Sequence, residues 1–154
     1  KNRVGDNMED GFDIHELDNF TKDLLALAEK ELPKETKKFI KKNANQLKTA
    51  TKNKAKQVGI IDQTGNYYSH FKTGKVYKYQ GYLSCRVYNG AAVANSRGKF
   101  FSLGGILENG HMKENKKGFI PGFHPFEKAY QDFMGKYYGN CEDFIDDMLK
   151  NKGL

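Results

Sequence analysis

The sequence predicts an α+β domain: two N-terminal helices, a small antiparallel sheet, a long loop, and a C-terminal helix packed on the sheet. Three observations predict it. Apolar residues recur at helical steps of three and four over residues 13–32 and again over 126–148. Between these stretches, residues 77–87 alternate with a period of two, as a half-buried strand does. The 154 residues are 38% hydrophobic and 13% aromatic, enough for one apolar core.

Residues 1–11 contain Gly5, Gly11 and five charges, and read as a flexible tail ahead of a single domain over 12–154. Asp13 and Glu16 have capping-box spacing, so the first helix starts there, with Leu17, Phe20, Leu24, Leu27 and Ala28 on its apolar face. Pro33 ends it after Leu32 and opens the next helix, Lys34 to Gln57, with Gly59 behind its C-terminus. Phe39, Ile40, Ala44, Leu47, Ala50 and Ala55 give this second helix a thin apolar stripe. Tyr67–Phe71 is read as a short strand, Tyr77–Val87 as one strand, and Phe100–Glu108 as another with a bulge at Gly104-Gly105. Asn89-Gly90 marks a turn into a loop that runs to Gly98. Residues 109–124 have no period and read as a long loop, mobile in the free protein and ordered by a neighbouring subunit. The last helix follows Pro125 and runs to about Asn151, weakened at Gly135 and Gly139, with Phe126, Phe133 and Phe144 as core.

The net charge of +7 is unevenly spread. Residues 1–33 carry −5, residues 34–56 carry +8, residues 57–126 carry +6 and residues 127–154 carry −2. Such asymmetry fits contact with a polyanion or with complementary faces of other subunits. No apolar run approaches the roughly 18 residues that span a bilayer, and the first eleven residues have no apolar signal region. Cys85 and Cys141 lie far apart in no metal spacing, which favours a reducing compartment.

The search for chemistry leaves binding rather than catalysis. His15, His70, His111 and His124 form no metal-ligand spacing, although His111 and His124 could meet across the long loop. Phosphate-loop, dinucleotide and nucleophile-elbow motifs are absent, and Cys85 lies on the apolar side of a strand. Glu142, Asp143, Asp146 and Asp147 could bind a hard cation, but Phe144, Ile145, Met148 and Leu149 beside them favour the polar side of an amphipathic helix. No catalytic, cofactor or metal site is assigned. Helix 34–56, with Lys37, Lys41 and Lys48 among its nine lysines, could neutralise phosphates. It has no Arg, so sequence-specific base reading is not expected, and non-specific nucleic-acid binding through this helix is the alternative function.

The order of segments resembles the phage tail-component family, the small neck and tail-completion proteins at the head–tail junction. Three features over residues 12–150 carry the resemblance. They are two N-terminal helices with a Lys/Ala-rich second one, a T-G-x-x-x-S element at Thr64–Ser69, and an E-x-G-H turn at Glu108–His111 followed by Pro121 and the P-F-x-x-A run Pro125–Ala129. Ile60-Ile61-Asp62-Gln63 stands where the family places a Pro before the T-G pair, and the segment from Gly90 to Arg97 is longer than the family's. The resemblance implies a structural virion protein and not an enzyme, made in the bacterial host cytoplasm. It would form a homo-oligomeric, six-fold ring against other neck and tail proteins, such as the connector, tail tube or terminator layer. Double-stranded DNA would pass through its lumen, with no membrane partner. It also implies roles for single residues. Gly65 and Gly110 supply backbone conformations closed to other residues, Pro121 and Pro125 fix the loop's approach to the last helix, and Phe126 and Ala129 seat that helix. Glu108 holds loop backbone or a neighbouring subunit, and His111, Lys37, Lys41 and Lys48 join it as assembly candidates.

Overall fold

The computed structural model describes residues 30–113, 117–151 and 153. The chain divides into two units, Lys1–Lys34 and Glu35–Leu154. The flexible tail and nearly all of the first helix expected from the sequence lie outside the described residues. The second unit is α+β, as the periodicities predict.

Its first helix, α1, spans Leu32–Gln57. It starts two residues earlier than the sequence suggests, because Pro33 sits in its first turn, where a missing N–H costs nothing. Ala44, Thr51 and Ala55 are its buried side, together with Asn43. The Asp62 side chain accepts the Tyr68 N–H at 2.7 Å and nucleates a four-residue helix, α2, Asn66–Ser69. The expected strand at Tyr67–Phe71 is therefore helical in its first half, and β1 begins only at Phe71.

β1 (Phe71–Tyr79) and β2 (Tyr82–Asn89) form an antiparallel hairpin, with Tyr79 opposite Tyr82 and Val76 opposite Cys85. The single strand expected over Tyr77–Val87 is thus two. Gln80 and Gly81 both have positive φ, as a two-residue type I′ turn demands. The turn exchanges the parity of the side chains. Tyr77, Tyr79 and Tyr82 share one face, and Leu83, Cys85 and Val87 share the other. A bulge between Thr73 and Val76 is held from α1, where Lys41 Nζ donates to the carbonyls of Thr73 and Gly74.

β3 (Ala92–Ala94) lies inside the segment expected to be loop and pairs with β4 (Phe100–Ser102), the start of the expected strand. The strand expected over Phe100–Glu108 ends at Ser102, whose hydroxyl accepts the Gly105 N–H at 3.1 Å and caps a helix, α3, Leu103–Asn109. Gly104 is buried there because a Cβ would press on the Asn89 side chain, which lets α3 lie against β2. In place of a structureless loop over 109–124, β5 (His111–Met112) pairs with β6 (Phe119–Ile120). The last helix, α4, runs from Pro125 to Lys150.

Two packing regions hold the unit together. Ala55, Ile60, Tyr67 and Phe71 form a buried cluster, with Leu103, Leu107 and Phe126 packed around it. Phe71 meets Tyr67 edge-on at 5.0 Å and stacks on Phe126 at 5.6 Å. Further along, the inner face of the hairpin (Leu83, Cys85, Val87) and Phe133 and Tyr137 of α4 line a cavity of about 260 Å³ together with Ile40 and Leu47 of α1. Phe39 stacks on Phe144 at 4.6 Å, and Asn140 donates to Asn43 Oδ1 at 2.6 Å, tying α1 to α4. Phe133 is buried, whereas Phe126 and Phe144 are half-buried. Ile145, expected on the buried side, is exposed. No described helix is long and apolar enough to cross a membrane.

Candidate assembly site

Part of the third motif, Glu108, Gly110 and the segment from Gly122 to Glu127, meets in one structural knot at the start of α4. Pro125 opens the helix and has no N–H, and the residue before it, His124, makes no side-chain cap. The next two amides are satisfied by one residue 18 and 19 positions upstream of them. Phe126 N–H donates to Glu108 Oε2 at 2.8 Å, and Glu127 N–H donates to Glu108 Oε1 at 3.0 Å. A carboxylate is well suited to this place, because it accepts two bonds and faces the positive end of the helix dipole. Of the alternatives the resemblance leaves for Glu108, loop backbone or a neighbour, the bonds present go to the helix backbone of its own chain.

Two glycines allow the approach. Gly110 has φ +80° with an extended ψ of −176°, a conformation nearly confined to glycine, and a Cβ there would overlap the Ile120 carbonyl. A Cβ on Gly122 would overlap the Glu108 carbonyl. Phe123 N–H closes the knot by donating to Leu107 O at 2.8 Å. Ala129 is buried and Phe126 stacks on Phe71, so both pack the start of α4 against the unit. Gly65 has a φ of +74° ahead of α2.

Glu108, His124 and Glu127 place one potential ligand atom each within 4.8 Å of one another, and His124 Nδ1 lies 3.5 Å from Glu127 Oε2. The Glu108 oxygens in that group already serve as the helix cap. His111 lies exposed on β5, outside the group, and Pro121 is exposed at the end of β6.

The basic helix is not uniformly solvated. Lys37 is exposed and Lys48 half-buried, but Lys41 is committed to the β1 bulge. Lys54 pairs with Asp132 of α4 at 2.5 Å, Lys38 pairs with Glu35 at 2.7 Å, and Lys56 lies over the Tyr68 ring. A groove of about 860 Å³ between α1 and α4 is lined by Gln46, Asn53, Lys54, Asp132 and Lys136 among others, and its lining includes no Ser, Cys or His.

The structure gives roles that sequence reasoning did not assign. Gly122, Asp62, Asn89 and the Asn43–Asn140 pair all hold the backbone in place. Asn89 bonds Tyr67 O at 2.8 Å and the Ala91 N–H at 2.9 Å. Gly122, wedged between Pro121 and Phe123, and Asn89, in the Asn89-Gly90 turn, carry local signals; Asp62, Asn43 and Asn140 carry none.

Among the described residues, the large apolar side chains left exposed number thirteen, against eight buried hydrophobics, four of which are alanine. The exposed ones include Tyr77, Tyr79 and Tyr82 of the first hairpin, Phe100 and Phe101 of β4, Met112, Phe119 and Ile120 of the β5–β6 hairpin, and Tyr138 and Ile145 of α4. No family model, curated protein or solved structure matches this chain.

Proposed function

We propose that this chain is a structural subunit of a tailed-phage neck, a tail-completion or terminator protein that works as a closed ring around the DNA path. The observation that carries the proposal is the excess of exposed over buried large apolar side chains on a chain whose sequence resembles that family. Exposed apolar residues that gather into a patch, as Tyr77, Tyr79 and Tyr82 do on one hairpin face, mark surfaces that other chains cover. Three separate two-stranded ladders add open backbone edges, which a neighbour can pair. The knot gives physical work to Glu108, Gly110 and Phe126, three of the motif residues on which the resemblance rests, which supports it further. Ring closure follows from head-to-tail contacts that repeat around an axis.

The test is electron microscopy of the purified full chain, alone and mixed with tail tubes, alongside a duplex-DNA gel shift across a salt series. Closed six-fold rings, or rings seated on tube ends, are the expected result. Monomers that bind duplex DNA with a steep salt dependence, and form no ring in either setting, would refute the proposal in favour of nucleic-acid binding by α1.

A further inference from the structure

Two outward surfaces of this unit match each other in chemistry and point to opposite sides. On the hairpin, Tyr77, Tyr79 and Tyr82 are 47%, 59% and 76% exposed. The same face carries Arg86, stacked over the Tyr88 ring at 5.2 Å, and the exposed Lys72 lies opposite Tyr88. Neither strand contains a carboxylate, so this face is aromatic and wholly cationic. On α4, Tyr138, Glu142, Ile145 and Asp146 fall at spacings of i, i+4, i+7 and i+8, one stripe of the helix. Tyr138 is 60% and Ile145 48% exposed, both acids are exposed, and no cation occurs between Lys136 and Lys150. The stripe lies opposite the side of α4 that carries Phe133 and Phe144, so it faces outward. This surface is apolar and wholly anionic.

The two surfaces cannot meet within one chain. The inner face of the hairpin and the inner face of α4 share one cavity, so their outer faces are turned away from each other. We infer that the aromatic, basic face of the β1–β2 hairpin of one copy docks on the apolar, acidic stripe of α4 in the next. The partner is a second copy of this chain, because one chain supplies both halves with complementary charge. Tyrosines bury area at little entropic cost, while the flanking charges set orientation and exclude hairpin-to-hairpin and helix-to-helix pairing. A contact between two different surfaces on opposite sides propagates head to tail, which is what ring closure needs. The inference deepens the ring proposal and rests on it for the number of copies, but not for the contact itself.

The experiment uses the full chain and two variants. The hairpin variant is Lys72→Glu with Arg86→Glu, and the helix variant is Glu142→Lys with Asp146→Lys. Self-association is followed by sedimentation velocity from about 1 μM to about 1 mM. The parent should associate, and each variant alone should associate at least about tenfold more weakly, since like charges then face each other. An equimolar mixture of the two variants should restore parent-like association, because the reversed hairpin now meets the reversed helix. That rescue also shows both variants to be folded. A parent that stays monomeric throughout, variants that associate like the parent, or a mixture without rescue would each overturn the contact. Rescue with assembly stopping at two copies would support the contact and refute the ring. Rings insensitive to both reversals would refute the contact and leave the ring standing.

Discussion

Replacing Glu108 by Ala removes the cap of a 26-residue helix from a residue 18 positions away. Two amides, Phe126 and Glu127, lose their acceptor, and His124 has no side-chain bond with which to replace it. Loss of an N-cap typically costs about 1 kcal/mol, and a hydrogen bond to a charged group contributes about 1.5–3 kcal/mol. The Glu108 side chain is only partly buried, so water recovers some of this, and a total of about 2–3 kcal/mol is expected for Glu108→Ala. For a unit of this size each kcal/mol lowers the melting temperature by about 3–5 °C, giving a fall of about 6–15 °C. Glu108→Gln keeps one acceptor and loses the charge that faces the helix dipole, so it should fall between the parent and Glu108→Ala. Thermal unfolding followed by circular dichroism at 222 nm measures the shift, and native-state hydrogen exchange at the Phe126 and Glu127 amides localises it. A Glu108→Ala protein that melts within about 2 °C of the parent, with those two amides still protected, would refute the capping role.

Four further outcomes follow from the same structure. The Tyr67 hydroxyl is buried without a hydrogen-bond partner, so Tyr67→Phe should leave stability unchanged or raise it by up to about 1 kcal/mol in urea titration. Burial first, then the neighbouring Tyr68 and Glu108, push the Tyr67 phenol above its ordinary value. The phenol of the unfolded chain therefore ionises first, so the stability it contributes is full below pH about 10 and falls above it, and Tyr67→Phe should flatten that fall in urea midpoints taken at pH 8 and 10.5. Gly122→Ala forces a Cβ onto the Glu108 carbonyl and should cost about 1–3 kcal/mol or more by the same titration. Gly135 and Gly139 have open space where a Cβ would stand, so Ala at each should stabilise α4 by up to about 1 kcal/mol, read as a higher melting temperature. Lys41→Glu should destabilise by about 1–3 kcal/mol because its ammonium holds the carbonyls of the β1 bulge, whereas Lys37→Glu should stay within about 0.5 kcal/mol.

The long helices were legible because their signals are local. Steps of three and four from Phe126 to Met148 locate α4, and Pro125 marks its start. The hairpin was half legible. Alternation revealed extended chain, but a two-residue turn does not interrupt alternation; it exchanges which parity faces the core. Gln80-Gly81 is the available signal: one unbroken strand would put Tyr77 and Tyr79 on the side of Leu83 and Val87, from which the pairing of Tyr79 with Tyr82 separates them. α3 was not legible from propensity. Gly104 and Gly105 argue against a helix, and the segment is helical because Ser102 caps it and Gly104 lets it lie on Asn89. The Glu108 cap was visible only as a motif residue, since no local pattern ties position 108 to amides at 126 and 127.

The structure separates residues that build the fold from residues left open on its surface. Glu108, Gly110, Gly122, Phe126 and Ala129 are engaged with their own chain, in the knot or the core around it. Tyr79, Tyr82, Tyr138 and Ile145 are turned to solvent on strands and a helix that those residues hold in place. These buried and bonded motif residues therefore specify scaffold, and the surface proposed for self-association lies outside them. This has a consequence for any assay of function. A change at Gly110 or Glu108 that abolishes ring formation should also lower the melting temperature, because the same contacts carry both. If the proposed contact forms, a change at Tyr82 or Asp146 should weaken self-association with the melting temperature of the monomer nearly unmoved, because exposed positions contribute little to its stability. Lys41 shows why the distinction cannot be made by charge alone: it belongs to the most basic helix of the chain, yet its ammonium is spent on the backbone of β1 and counts as scaffold.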